Sequence, residues 1–282
     1  METMPARRQP PTIALRRLAS ELLAMRGARS RDQVKVDIGL SEAALLRIEK
    51  AKVRPQVRTL RQLLDYYGAD AAKKEELEEL LKRSRELQWL QRYEEYLPQS
   101  YQNFIAFEAD AIQMSDYQSL LMPGLLQTRG YAEVVSRALL PEVDDEGIAQ
   151  RVDARMRRQD VLEKASFWAI LDEAAIRRIL GDGDVYRQQL RYLAEASRRP
   201  NVTLQVIPFT AGPHLGMTGN FITMDFSAPA APLVYTENAE GGLFLEADED
   251  VRRYRATFQR LAAQAASPED TLKIIESAAS TT

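Results

Sequence analysis

The chain has 282 residues, 45% hydrophobic and 28% charged, the composition of an ordinary soluble protein and enough length for two domains. It has no cysteine and one histidine, His214, which excludes disulfides, thiolate chemistry and a multi-histidine zinc site. No apolar run approaches the ~18 residues of a membrane span, and the opening METMPARRQPPT lacks the apolar centre of a signal peptide, so a cytoplasmic location is expected.

The formal net charge of −3 hides an asymmetry. Residues 1–68 hold 14 Lys/Arg against 7 Asp/Glu, a net of +7, whereas the remainder carries −10. A basic first quarter on an acidic body is the charge pattern of a nucleic-acid-binding head.

Residues 1–12 are rich in Pro and Arg and are expected to be disordered. Leu15, Leu18, Leu22 and Met25 recur at helical spacing, with Gly27 as the stop. Ser30 is placed to cap a second short helix that buries Val34 and Ile38. Gly39 supplies the turn, where the missing Cβ makes a left-handed backbone easy. Ser41 then caps a third helix with Leu45 and Ile48 inside. A fourth follows Pro55 and carries Val57, Leu60, Leu63, Leu64 and Tyr67, closed by Gly68. Two short helices joined by a tight turn within residues 30–55 form a helix-turn-helix, whose second helix can enter a DNA major groove.

Residues 70–96 read as one strongly charged connecting helix with Leu77, Leu80, Leu81, Leu87 and Trp89 on its apolar side. It is long enough to project from the head, and a surface helix of the next domain fits the pattern equally. Residues 97–282 read as a mixed α+β domain. Candidate strands lie at 167–171, 202–207, 221–226 and 233–236, rich in β-branched and aromatic residues. Helices are expected near 128–138, 146–162, 185–197 and 248–265, and a last one opens at Ser267-Pro268-Glu269. The last three strands lie close together, which favours an antiparallel meander. The fold class is therefore an all-α helix-turn-helix head, residues 13–69, followed by an α+β domain with a small, mainly antiparallel sheet.

The helix-turn-helix stretch resembles the Cro/cI-type (XRE) family through Val34, Ile38, Gly39, Leu40, Ser41, Leu45, Arg47, Ile48 and Glu49 and the basic stretch to Pro55. The resemblance places the helix 41–50 in the major groove. Ser41, Glu42, Ala43, Leu46 and Arg47 would then face bases, with Arg47 suited to guanine, Glu42 to a cytosine amino group, and Ala43 or Leu46 to a thymine methyl. Arg31, Lys50, Lys52, Arg54 and Arg58 would face phosphates. Two departures stand out. Lys35 occupies a packed position usually held by alanine, so it must snorkel to the rim or open the helix pair. The outward face of the recognition helix is Glu, Ala and Leu where Ser, Thr and Arg are usual.

The segments FEADAIQMSDYQSLLMPGLLQTRGYA, RVDARMRRQ, WAILDEAAIRR, NVTLQVIPFTAGPHLGMTGNFITMDF and VYTENAEGGLFLEADEDVRRYRATFQRL resemble an actinobacterial group of regulators with an Scr1-type, antitoxin-like C-terminal domain (the WhiJ-like group). That resemblance implies a transcription factor paired with a small protein from a neighbouring gene.

The motifs of nucleotide-binding loops, zincins and nucleophile elbows are absent. His214, in a Gly-rich loop, reads as structural, with a ligand contact as its functional alternative. Asp172/Glu173 and the acidic run 246–250 read as helix caps. Arg151, Arg155 and Arg158 form a basic face, solvated or paired, or else a docking face for an acidic partner. Trp168 and Phe209 read as core. The expectation is a non-enzymatic regulator without cofactor or metal, binding double-stranded DNA at a palindromic operator as a homodimer. Its C-terminal domain would serve dimerisation and a small partner protein or effector. The rival readings are an antitoxin-like module that sequesters a small partner, and a small-molecule-responsive regulator.

Overall fold

A computed structural model of the chain describes residues 12–228, 230–238 and 241–280, so the expectation of disorder over 1–11 lies outside the described residues. The chain divides into two units, Met1–Glu94 and Glu95–Thr282.

Among the described residues the first unit has five α-helices, α1 (Ile13–Arg26), α2 (Arg31–Ile38), α3 (Glu42–Glu49), α4 (Val57–Tyr67) and α5 (Ala71–Arg83), followed by a 3-10 stretch over Glu86–Tyr93. Thr12, at the edge of the segment expected to be disordered, is a buried N-cap whose hydroxyl accepts from the Leu15 N–H at 3.0 Å. Leu18, Leu22, Val34, Leu45, Leu60, Leu63, Leu64 and Leu77 are fully buried in one core. Each contributes about 1.5–3 kcal/mol relative to an exposed position, which is what holds helices too short to stand alone.

Residues 70–96 do not form one connecting helix. Helix α5 ends at Arg83, with Leu77, Leu80 and Leu81 inside the head's own core. Lys73 bonds Glu21 at 2.8 Å and Arg17 bonds Glu76 at 2.5 Å, tying α5 to α1. The charges that suggested a projecting helix are the outer face of one that packs.

The second unit contains α6 (Gln99–Asp110), β1 (Gln113–Gln118), α7 (Arg129–Leu139), α8 (Asp145–Arg158), β2 (Ser166–Asp172), α9 (Glu173–Arg177), α10 (Gly183–Ala196), β3 (Val202–Ile207), β4 (Phe221–Asp225), β5 (Leu233–Asn238), β6 (Gly241–Leu245), α11 (Asp248–Gln264) and α12 (Pro268–Ser280). Its six strands form one mixed, mostly antiparallel sheet in the order β3-β2-β1-β4-β5-β6. The β1–β2 and β2–β3 pairs are parallel and the other three antiparallel. This corrects the expected meander: β3 lies on the far side of β2, and the meander is β4-β5-β6. Two of its strands escape a hydrophobicity reading. Strand β1, QMSDYQ, is mostly polar, and β6, GGLFL, opens with two glycines.

Helix α11 packs Val251, Phe258 and Leu261 against Tyr117, Ile170, Ile207, Phe221 and Val234. Helix α6 sets Phe104 against Tyr235, and Phe107 against Phe226 and Phe244. Gln189, fully buried, accepts from the Thr128 N–H at 2.7 Å and donates to the Leu126 carbonyl at 2.6 Å, fastening the segment between β1 and α7 to α10. The outer edge of β3 is covered at Val206 by the start of α12 and the segment just before it. The Val206 N–H donates to Thr271 Oγ1 at 2.9 Å, and the Ala266 N–H donates to the Val206 carbonyl at 2.8 Å. Among the described residues no helix is long and apolar enough to cross a membrane.

Thr271 is fully buried. The isosteric Thr271→Val leaves the Val206 N–H without an acceptor, and is expected to cost about 1–3 kcal/mol in urea denaturation of the full chain.

Candidate nucleic-acid interface

The helix-turn-helix is built by caps. The Ser30 hydroxyl accepts from the Gln33 N–H at 3.0 Å to start α2, and the Ser41 hydroxyl accepts from the Ala44 N–H at 3.3 Å to start α3. Between them Gly39 has φ +74°, and its N–H donates to the Lys35 carbonyl at 2.9 Å. Val34 of α2 and Leu45 of α3 then meet in the core. Ala51 closes α3 with φ +53°, the one non-glycine residue with positive φ among those described.

Helix α3 buries Leu45, Ile48 and Glu49 and exposes Glu42, Ala43, Arg47 and Lys50, with Leu46 half-buried. Ala43, Arg47 and Lys50 follow i, i+4, i+7 spacing and share one outward face. Ser41, which reads as a base-facing residue, is exposed and has its hydroxyl engaged as the cap. The five phosphate-facing candidates divide. Lys50, Lys52 and Arg58 are exposed. Arg31 and Arg54 are committed elsewhere. Arg54 is half-buried and donates through Nε to Ser84 Oγ at 2.9 Å. Burial, and then the nearby Arg85, lower its pKa.

Arg31 belongs to a clamp that the spacing of charges does not announce. The Glu49 side chain is 1% exposed, and Arg26 from the end of α1 donates to its Oε1 at 2.5 Å. Arg31 from the start of α2 donates through Nε to its Oε2 at 2.8 Å. One carboxylate thus ties three helices together. Beside it, burial, and then Glu49, push the Tyr67 phenol up to about 12, so it stays protonated.

Lys35 settles the first departure from the family pattern. Its side chain is 53% exposed and leans to the rim, with Nζ 3.9 Å from Asp32 and 4.0 Å from Glu42. The pair leaves the helices closed and partly offsets the Glu42 charge, although exposed pairs of this length stabilise little.

In the second unit, His214 Nε2 lies 3.0 Å from Asp172 Oδ2, and Asp172 Oδ1 accepts from the Ala174 N–H at 2.7 Å. Asp172 therefore caps α9 as expected and also holds the His214 loop. Glu173 accepts from the Phe209 N–H instead. The acidic run 246–250 gives α11 no side-chain cap. Its residues 248–250 form the acidic first turn, favourable at the positive end of the helix dipole. Trp168 does pack in the core against Phe258, whereas Phe209 is 61% exposed.

The face of Arg151, Arg155 and Arg158 turns inward. Arg158 is buried, 3.2 Å from Glu108 Oε1, with Asp116 close by. Burial raises Glu108 and Asp116 each to about 7, against the pull of Arg158.

Residues 14–77 match the model of a helix-turn-helix domain. Residues 101–277 match that of a domain of unknown function (DUF5753), more than half of the chain. The chain belongs to that DUF5753 family, with a helix-turn-helix domain ahead of it. No curated protein and no solved structure matches it.

Two outcomes follow. Glu49→Gln removes a buried charge that two arginines face, and is expected to cost about 1–3 kcal/mol of head stability, since Arg31 is itself one-third exposed. For Asp116, the folded pKa lies above the unfolded one. Its burial therefore costs little below the unfolded pKa, and stability is lost as pH rises towards 7. Asp116→Asn should stabilise the chain more at pH 8 than at pH 5, by about 1–3 kcal/mol in paired denaturation curves.

Proposed function

We propose that the chain is a DNA-binding transcriptional regulator of the Cro/cI type that binds a palindromic operator as a homodimer. The observation that carries the reading is the outward face of α3. Arg47 and Lys50 stand exposed on a doubly capped helix whose other side is locked into the core. Arg47 reads a base through its fork, and Ala43 contacts a thymine methyl beside it. Glu42 and the half-buried Leu46 flank them. Lys50, Lys52 and Arg58 supply the phosphate contacts; Arg31 and Arg54 act inside the head instead.

A monomeric head covers few base pairs, so the reading includes a two-fold dimer made through the second unit. In keeping with the Scr1-type resemblance, that unit also receives a small partner protein or effector, and the chain carries no enzymatic activity. A second reading, an antitoxin-like module that sequesters its partner, is favoured by one observation: exposed Glu42 in the first turn of α3, where a phosphate would be repelled.

Gel shifts with the region upstream of the chain's own gene test the first reading. Arg47→Ala is expected to weaken binding by about 10–100-fold, and Lys52→Ala to lower the slope of log K against log salt by about 1. Lys35→Ala, which leaves Glu42 without its cationic neighbour, should weaken binding on any sequence. Equal binding by wild type and Arg47→Ala, or none at low salt by either, would favour the sequestering module. A monomer by sedimentation with and without DNA would sink the dimer.

A further inference from the structure

Several exposed arginines of the second unit pair with carboxylates. Arg129 reaches Asp153 at 2.6 Å, Arg177 reaches Glu173 at 3.0 Å and Arg253 reaches Asp250 at 2.7 Å. The inner face of α8 differs, because its arginines are withdrawn from solvent. Arg155 has Gln127 Oε1 at 2.8 Å as its partner, a neutral acceptor. Arg151 is half-buried and makes no hydrogen bond or ion pair with the described residues. The Nε atoms of Arg151, Arg155 and Arg158 are all buried and unbonded. Only Arg158, 8% exposed, has a carboxylate, Glu108, and its guanidinium lies 5.4 Å from the Tyr101 ring. The Tyr101 hydroxyl is likewise buried and unbonded. Tyr101 sits in the first turn of α6, which starts without a side-chain cap and so presents the positive end of its dipole. Burial lowers the Arg151 pKa, and Arg155 adds to the effect, so this charge is held at a cost.

The arrangement also needs a glycine. A Cβ on Gly124 would stand 1.8 Å from Arg158 Nη2, so the backbone before α7 leaves room for the guanidinium. Two forks without a carboxylate ion pair, Arg158 one turn further along the same helix, a free phenol and an uncapped helix start lie together.

We propose that this place is an anion site, formed by Arg151, Arg155 and Tyr101, that binds a phosphate group. A carboxylate offers two oxygens, which one fork satisfies. A phosphate offers three or more, enough for two forks and the phenol together. Arg158, paired with Glu108, lies against the Tyr101 ring, so an occupant alters the field on the buried acids. The site is independent of DNA binding by the head.

Calorimetry with inorganic pyrophosphate, on the full chain at constant ionic strength and without DNA, tests it, with acetate as comparator. A parallel arm sediments the protein with phosphatidic acid vesicles. Binding of pyrophosphate places the phosphate in solution, and binding of the vesicles alone places it on a lipid headgroup. The site predicts that Arg151→Gln and Arg155→Gln each lose at least about tenfold in affinity, or 1.4 kcal/mol. Arg151→Lys, which keeps the charge without the fork, should fall between them and wild type. The surface variant Arg137→Gln should match wild type. No binding in either arm, binding of acetate equal to pyrophosphate, or full affinity in Arg151→Lys and Arg155→Gln would overturn the proposal.

Discussion

The head depends on one buried carboxylate. Glu49 sits on the inner side of α3, where a charge without partners would be expelled, and Arg26 and Arg31 make its burial tolerable from two other helices. An apolar residue there would pack, but it would not fix the angle between α2 and α3. Hydrogen bonds have direction and apolar contacts do not. The orientation of Arg47, two residues earlier on the same helix, is therefore set from the inside. The same clamp takes Arg31 out of the set of cations available to DNA.

The second unit uses buried charge with the opposite balance. On α8 Arg158 meets Glu108 directly and Asp116 more distantly, and burial raises both acids to about 7. Glu108, Asp116 and Arg158 come from α6, β1 and α8, and no run of sequence brings them together. Gln127 and Gln189, both buried, satisfy the backbone of the segment between β1 and α7, so the neighbourhood is ordered by amides and not by apolar packing alone.

Helices of the head were legible because each has a start, a stop and a 3.6-residue apolar period: Ser30, Gly39, Ser41 and Gly68 mark boundaries that local chemistry alone sets. The sheet was legible only where strands are apolar. Strand β1 hides Asp116 within QMSDYQ, and a carboxylate buried by tertiary contacts looks in sequence like one in solvent. The same blindness made Arg151, Arg155 and Arg158 read as a surface face, because spacing gives the side of a helix but not which way that side points. For the interface, exposure of Arg47, Lys50, Lys52 and Arg58 agrees with what the basic stretch suggested. The withdrawal of Arg31 and Arg54 could not be read, since their partners lie 18 and 30 residues away. Phe209 failed differently: an aromatic after a strand is ordinarily core, yet this one stands on a loop held by Glu173.

The two margins of the sheet are unlike. Thr271 and Ala266 occupy the outer hydrogen-bonding positions at Val206 on β3. At β6 the outer backbone groups make no such bonds among the described residues, and Leu243 is 56% exposed. A strand added at β3 would have to displace Thr271 and Ala266 from Val206, whereas one added at β6 would displace no such bond. Two copies joined margin to margin at β6 would each present β3 outward, where a further strand meets the bonds at Val206, so strand addition there would favour a pair over a fibre.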